Sequence, residues 1–75
     1  MTNVNELFEV AIEAERTAES LYLALSDLFA HKPSVAAFWR RYAAQEAQHA
    51  AWLIRTRRGL SETQRLAPAD PLIEE

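Results

Sequence analysis

The sequence predicts an all-α protein: an antiparallel two-helix hairpin that dimerises into a four-helix bundle, with a short third helix at the C-terminus. Three observations lead to this fold class. Hydrophobic residues make up 49% of the 75 residues. Neither glycine nor proline interrupts residues 4–31 or 34–58, and apolar side chains recur through both stretches at three- and four-residue steps, as in bundle helices. Two helices cannot bury broad apolar faces alone, so the hairpin is expected to associate.

The first helix is expected to begin just after Asn3, because Asn3 and Glu6 have the spacing of a capping box. An apolar seam with the periodicity of a bundle helix follows. Its residues are Val4, Leu7, Ala11, Ala14, Ala18, Leu21, Leu25 and Leu28. Beside the seam, at seven-residue steps, run Phe8, Glu15 and Tyr22. Glu15 is therefore an acid on the apolar side of its helix.

The second helix is expected to start near Ser34 and to end at about Arg58. Pro33 biases the residue before it away from helical geometry, and Ser34 can cap the helix that follows. Gly59 is placed as a C-terminal cap. Two helices of similar length, joined by a short turn, make the predicted hairpin.

A third, shorter helix is expected after the hairpin. Ser61 and Gln64 have the spacing of another capping box, and a proline-containing stretch follows them. We therefore divide the chain into residues 1–59, a hairpin that carries half of a metal-binding site, and residues 60–75, a short helix with a flexible tail.

Charge is segregated between the two long predicted helices. Residues 1–31 carry six acids against one arginine, and residues 34–59 carry five arginines against one acid. Oppositely charged helices suit an antiparallel hairpin or its dimer. For the arginines at positions 55–58 a simpler explanation comes first, because cations are favoured at a helix C-terminus.

The candidate functional residues are Glu15 on the first helix and Glu46 and His49 on the second. Glu46 and His49 are three residues apart, so both leave one helix face and can bind one metal ion. In an antiparallel hairpin turning near residues 32 and 33, residue numbers that sum to about 65 lie level, which places Glu15 beside His49. The alternative is a buried salt-bridge network, but burying paired charges is rarely favourable without metal or closely fitted partners.

A twofold pairing of hairpins would bring two copies of these three residues together. The resulting four carboxylates and two imidazoles match the carboxylate-bridged dimetal sites of four-helix bundles. Without metal the carboxylates would repel one another, so metal binding should be coupled to assembly. Oxygen-rich ligands with imidazole suit iron or manganese, and zinc can occupy the same ligands.

These residues resemble the ferritin-like superfamily. Glu15 through Tyr22 is similar to its first-helix Glu-x6-Tyr motif, and Glu46 through His49 to its Glu-x-x-His motif. The run at residues 46–51 is similar to rubrerythrins and especially to encapsulated ferritins, half-length chains whose di-iron ferroxidase site forms between two subunits. The resemblance covers about residues 4–59.

The resemblance implies a ferritin-like four-helix bundle that oxidises Fe(II) with dioxygen at a di-iron site holding one iron per chain. It implies that Glu15, Glu46 and His49 are catalytic metal ligands and that Tyr22 is a catalytic residue near the metals. Glu19, which falls level with Glu46, is a candidate outer-shell ligand. The resemblance also implies higher homo-oligomers, such as rings of dimers, and leaves open a protein shell around them.

Several features depart from the family pattern. Ala14 and Thr17 flank Glu15, where encapsulated ferritins are expected to carry further acids that attract metal. A cysteine-rich rubredoxin module is absent, which disfavours a rubrerythrin-style peroxidase, and the tail has no obvious cargo-targeting peptide. Tyr22 has a simpler interpretation as a core aromatic residue. Trp52 and the other aromatic residues are expected to exclude water from the site.

Two alternatives to a ferroxidase remain open at this point. One is a non-enzymatic interaction module, in which a dimer of hairpins binds another protein and no metal. The other is an iron-binding sensor or chaperone without turnover. Oxygen consumption on addition of Fe(II) separates the second alternative from a ferroxidase.

Composition narrows the cellular setting. Cysteine is absent, which excludes disulfides, thiolate zinc sites and iron–sulfur ligation. The N-terminus lacks the pattern of a signal peptide, and no apolar run approaches the ~20 residues of a membrane span. A net charge of −3 gives no case for nucleic acid. We therefore expect neither a membrane nor a nucleic-acid partner, and a cytoplasmic location that the resemblance extends to the inside of a protein nanocompartment.

Overall fold

Two long helices and a short one make up the computed structural model, which describes residues 2–69. Helix α1 spans Val4–Leu28, α2 spans Pro33–Arg58 and α3 spans Glu62–Leu66. The long helices pack as a hairpin, and the described part of the chain contains no strand. The predicted all-α hairpin with a short third helix is confirmed, whereas its pairing with a second hairpin stays a prediction. None of the described helices is long and apolar enough to cross a bilayer.

Side-chain caps set the start of α1 and of α3, as the sequence predicted. The Asn3 side chain accepts a hydrogen bond from the Glu6 backbone N–H at 2.8 Å, and the Glu6 side chain accepts one from the Asn3 backbone. Ser61 and Gln64 make the same reciprocal pair before α3. Each box satisfies backbone N–H groups that have no partner inside the helix.

Helix α2 starts differently from the prediction. It begins at Pro33, with Lys32 in the cap position and no side-chain cap hydrogen bond, so the expectation that Ser34 caps this helix was wrong. Proline suits the first turn because its fixed φ is helical and its missing N–H would have no intrahelical partner there. The predicted end of the helix, at Arg58 with Gly59 as its C-cap, is confirmed.

The two long helices meet along a row of small side chains. Ala36, Ala43 and Ala50 recur at seven-residue steps on α2 and are buried, and α1 buries Ile12 and Ser26. Methyl groups let the helices approach closely, but they remove little apolar area from water. No large side chain is fully buried among the described residues. The core of a single hairpin is therefore thin, in a molecule that measures 51 × 25 × 14 Å.

Half of the predicted seam of α1 lies outside the hairpin contact. Four of its eight residues are half-buried in the single chain. The other four are exposed, and they are Leu7, Ala14, Leu21 and Leu28. The apolar seam of α1 is wide enough to contact two neighbouring helices in a bundle. In the single chain only α2 covers it, so half of the seam stays exposed.

Hydrogen bonds hold the segments at the end of the hairpin opposite the turn. The Val4 N–H donates to the Ala67 carbonyl at 2.9 Å, and the Ala69 N–H donates to the Thr2 carbonyl at 3.0 Å. Residues 67–69, which come after α3 in the sequence, therefore lie beside residues 2–4 at the start of α1.

Near the turn, a side-chain hydrogen bond joins the two long helices. Nε of Arg40 donates to the buried hydroxyl of Ser26 at 3.0 Å. The turn itself is closed by the Lys32 N–H, which donates to the Phe29 carbonyl at 2.8 Å. With both ends of the hairpin tied, the level at which residues of α1 face residues of α2 is fixed.

Candidate metal centre

Glu15, Glu46 and His49 come together midway along the hairpin. Glu15 stands on α1, and Glu46 and His49 stand on α2 one turn apart. Nδ1 of His49 lies 3.4 Å from Oε2 of Glu15 and 3.6 Å from Oε2 of Glu46. One potential ligand atom from each residue lies within 4.8 Å of the other two. The sequence placed these residues at one height, and the structure brings them into one cluster; their role as ligands stays a prediction.

The cluster combines two largely buried carboxylates with an exposed imidazole. The exposed fraction of the side chain is 26% for Glu15, 18% for Glu46 and 58% for His49. Oε2 of Glu15 is buried and has no hydrogen-bond partner within the described residues. Both distances to His49 exceed the roughly 2.7–3.2 Å of a protein hydrogen bond. A buried carboxylate oxygen without a partner is costly, and a cation or a further donor beyond those that residues 2–69 supply would satisfy it.

The donor set fits a divalent metal ion. For zinc, bonds to carboxylate oxygen and imidazole nitrogen are about 2.0–2.2 Å long, so ligand atoms around one ion lie about 3–4 Å apart. The separations between His49 and the two carboxylates fall in this range. A bound ion would also contact the buried oxygen of Glu15, which has no hydrogen-bond partner among the described residues. The spacing of the cluster is therefore compatible with one bound metal ion.

The cluster opens onto an apolar face of the hairpin. Trp52 and Leu53 line an open cavity of about 210 Å³ together with Glu15 and His49. A second apolar cavity of about 160 Å³ shares Leu53 and is completed by residues of α1. Those residues are Leu7, Phe8 and Ala11.

Exposed large apolar side chains extend this face along both helices, and we call them the site face. They follow the seven-residue rows of Leu7 on α1 and of His49 and Trp52 on α2. The members of the site face are Leu7, Leu21, Leu28, Phe38, Tyr42 and Trp52. In the single chain, the cluster is therefore surrounded by apolar surface that is open to water.

Tyr22 lies in an aromatic cluster towards the turn. Its ring stacks on Trp39 with the centroids 5.6 Å apart, and it is tilted against Tyr42 at 5.8 Å. Phe38 packs against both Trp39 and Tyr42. Within the described part of the chain, the Tyr22 hydroxyl makes no hydrogen bond. Packing accounts for Tyr22 in this structure, and a catalytic role near the metals stays a prediction.

Glu19 does not join the cluster. It shares a seven-residue row with Ile12 and Ser26, and Ile12 lines a groove that also includes Glu13 and Ile54 rather than the site cavity. The group of potential metal ligands found within the described residues does not include Glu19. A place as an outer-shell ligand stays a prediction.

The helix contact made by the alanine row of α2 is not evident from the sequence. The buried alanines of this row face α1. Glu46 and His49 lie on the rows beside it, and the contact of the alanines with α1 therefore brings their side chains close to Glu15. Alanines at positions 36, 43 and 50 are visible as a seven-residue repeat. The signal is weak, however, because alanine is favoured throughout helices regardless of packing.

Comparison with protein families adds to this geometry. The rubrerythrin family model matches residues 6–75, which is most of the chain. The chain belongs to the rubrerythrin family. Rubrerythrin domains are ferritin-like di-iron domains, so the resemblance to the ferritin-like superfamily is confirmed at this level. No curated protein and no solved structure gives a significant match.

Membership of the rubrerythrin family gives the cluster its chemical context. A rubrerythrin domain implies iron binding and a di-iron, ferritin-like function, and such domains are often redox enzymes. In this rubrerythrin-family hairpin, Glu15, Glu46 and His49 form the carboxylate and imidazole group that could hold a metal.

Proposed function

We propose that this protein is a ferroxidase, which oxidises Fe(II) with dioxygen at a di-iron site shared between two chains and holding one iron per chain. The observation that carries the proposal is the cluster of Glu15, Glu46 and His49, where a buried carboxylate oxygen has no hydrogen-bond partner among residues 2–69 and lies beside an open apolar face. The arrangement we propose is the one found in encapsulated ferritins.

One hairpin supplies half of the ligands that such a centre uses. Di-iron carboxylate bundles take one glutamate from each of two helices and a Glu-x-x-His pair from each of the other two. This chain has one of each: Glu15 on α1, and Glu46 with His49 on α2. A second copy, related by a twofold axis, would supply the other half.

The site face supports a second copy as the partner. Its six large apolar side chains are exposed in the single chain, and extended apolar patches of this kind mark interaction surfaces. Face-to-face pairing would cover the patch, close the cavity beside Glu15 and bring the two clusters together. Trp52, which lines that cavity, would then exclude water from the centre.

Charge should couple iron binding to this assembly. Pairing brings four carboxylates into a region of low dielectric, where they repel one another unless they take up protons or bind cations. Two divalent ions neutralise the four charges. Iron is therefore expected to promote dimerisation, and chelation to reverse it.

The residues of the site match the requirements of iron oxidation. Oxidation of two Fe(II) ions to Fe(III) at such a site would reduce one dioxygen to hydrogen peroxide, with two protons taken up from water. The carboxylates of Glu15 and Glu46 favour the more highly charged product because their attraction to a cation grows with its charge. His49 would hold the metal from the exposed side of the cluster, and Tyr22 is proposed to act beside it.

The proposal is tested by anaerobic titration of metal-free protein with Fe(II), followed by measurement of molecular size and then by admission of air. We expect saturation near one iron per chain, conversion of monomer to dimer, and oxygen uptake with formation of Fe(III). Mn(II) and Zn(II) are expected to compete for the site. Glu46→Gln combined with His49→Ala should abolish all three responses, whereas Glu9→Gln, at an exposed acid outside the cluster, should leave them intact.

Other results would assign a different function. Absence of Fe(II) binding would leave a non-enzymatic interaction module, which the exposed site face also supports. Fe(II) binding without oxygen uptake would leave an iron sensor or chaperone. Assembly of dimers into larger rings, a surrounding protein shell and a cytoplasmic or nanocompartment location remain part of the proposal.

A further inference from the structure

We infer that the outer edges of the two long helices form a second self-association surface, in which an acidic row on α1 contacts a basic row on α2 of another copy. The acidic row consists of Glu13, Ser20 and Asp27. The basic row consists of Arg41, Gln48 and Arg55. This surface is separate from the site face and does not rest on the proposed function.

Among residues 2–69, the charged side chains of the two rows form no ion pair. Every member of both rows is exposed. Within residues 2–69, both ion pairs involve His49, and no side-chain hydrogen bond reaches either row. The opposite charges of the helices therefore do not hold the hairpin together. The alanine row makes that contact, and the charged rows point outwards from the two opposite edges.

The rows match each other in antiparallel order. Both have seven-residue spacing, so Glu13 corresponds to Arg55, Ser20 to Gln48 and Asp27 to Arg41. An α1 laid antiparallel to the α2 of a neighbour places an acid opposite an arginine at both ends of the contact. The two uncharged residues in the middle can hydrogen-bond to each other. Relative to the level at which Glu15 faces His49 within the chain, the neighbour is displaced by about one helical turn, ~6 Å.

The position of the rows determines the kind of contact. Because the acidic row and the basic row lie on different edges of one hairpin, each copy presents its acidic edge to one neighbour and its basic edge to another. Such a contact is head-to-tail rather than twofold. The site face remains free for face-to-face pairing.

The strength of the contact should depend strongly on salt. Each exposed ion pair is weak and is screened as ionic strength rises. With two such pairs in one contact, we expect the association constant to fall about tenfold between roughly 0.05 M and 0.5 M NaCl. Apolar pairing through the site face should not weaken in this way.

Charge reversal tests the surface. Glu13→Arg with Asp27→Arg makes both rows basic, and Arg41→Glu with Arg55→Glu makes both rows acidic. Each variant alone is expected to lose the salt-sensitive association in sedimentation velocity at low salt. An equal mixture of the two should regain it, because every basic row then finds an acidic one. Glu9→Arg with Glu62→Arg has the same net-charge change as the first variant and should associate as the unmodified chain does.

A further variant shows whether loss of association results from misfolding. A chain that carries all four row substitutions exchanges the two rows and is expected to self-associate like the unmodified chain. The inference is overturned if the mixture and this four-substitution chain both fail to associate, or if either double variant keeps the original size and salt dependence. Fe(II) titration of the same variants should be unchanged, so the result is independent of the ferroxidase proposal.

Discussion

At the scale of single residues, Glu15 is the member of the metal-binding cluster with the least satisfied environment. Its Oε2 atom is buried without a hydrogen-bond partner within residues 2–69, and Nδ1 of the His49 imidazole is 3.4 Å away. Because this oxygen has no partner among the described residues, binding of a cation is expected to stabilise the site strongly. It also loses something in the metal-free protein, because a buried carboxylate without a partner destabilises the fold.

Glu15→Gln is therefore expected to change stability and iron binding in opposite directions. In the metal-free protein, removing the charge should raise the free energy of unfolding by about 1 kcal/mol, as measured by urea denaturation. Fe(II) affinity should fall at least about tenfold, because an amide is a poorer ligand than a carboxylate. Glu13→Gln, two residues away and exposed, should change neither quantity. Unaltered Fe(II) affinity in Glu15→Gln would contradict the assignment of this residue as a ligand.

The convergence of Glu15, Glu46 and His49 could be predicted from the sequence because it depends on two simple quantities. Helical period fixes which side chains share a face, and the position of the turn fixes which residues lie level. The unsatisfied oxygen of Glu15 could not be predicted in the same way. Whether two side chains form a hydrogen bond depends on differences of a few tenths of an ångström in the distance between them. Helical periodicity carries no information on that scale.

At the scale of the helices, the row of Ala36, Ala43 and Ala50 controls how closely α2 approaches α1. Each of these methyl groups is buried. A larger side chain would push the helices apart or adopt an unfavourable rotamer. The separation of the helices in turn sets the distance between Glu15 and His49, so packing and metal geometry are linked.

Ala43→Leu is expected to lower the free energy of unfolding by about 1–3 kcal/mol through overpacking. Ala44→Leu, at the neighbouring exposed position, should change it by less than about 0.5 kcal/mol. Urea denaturation of metal-free protein measures both. If the two substitutions had equal effects, the alanine row would not be the contact that sets helix separation.

The helices themselves were largely predictable, and the exceptions have local causes. The caps at Asn3 and Ser61 follow from short-range hydrogen bonding, which sequence spacing determines. The sequence predicts a start of α2 near Ser34, one residue after the observed start, because Pro33 can open a helix as well as precede one. Periodicity predicts the eight residues of the apolar seam of α1. It does not indicate which half of that seam contacts α2.

At the scale of the whole molecule, the hairpin has two different sides. The site face carries exposed apolar residues around the cluster, whereas the opposite groove is lined partly by charged residues. Leu21 and Leu23 are exposed to similar extents, 56% and 45%. Being two residues apart, they point to nearly opposite sides of α1. They form a matched pair for testing which side is covered in the assembly.

Leu21→Glu is expected to prevent iron-dependent dimerisation, because it places a charge in the middle of the proposed apolar interface. Leu23→Glu should leave dimerisation intact. Sedimentation velocity with and without Fe(II) under anaerobic conditions distinguishes the two. Equal dimerisation by both variants would exclude the site face as the interface.

Removal of metal should act on the same equilibrium. A chelator added to the iron-loaded protein is expected to return dimers to monomers, since four carboxylates are left facing one another. Protein in which His49→Ala removes a ligand should show little response to the chelator. A dimer that persists unchanged after complete removal of iron would separate assembly from metal binding.

The hydrogen bonds between residues 2–4 and 67–69 have a consequence for protein engineering. They bring two distant parts of the chain to the pole of the hairpin opposite the turn. A short linker from residue 69 to residue 2, with a new opening between residues 30 and 31, would give a permuted chain that makes α2 before α1. Its new termini would lie at the turn, about 20 Å from Glu15 along the axis of α1 at a rise of 1.5 Å per residue. Tethers or reporters could then be attached at either pole while both broad sides of the hairpin stay clear.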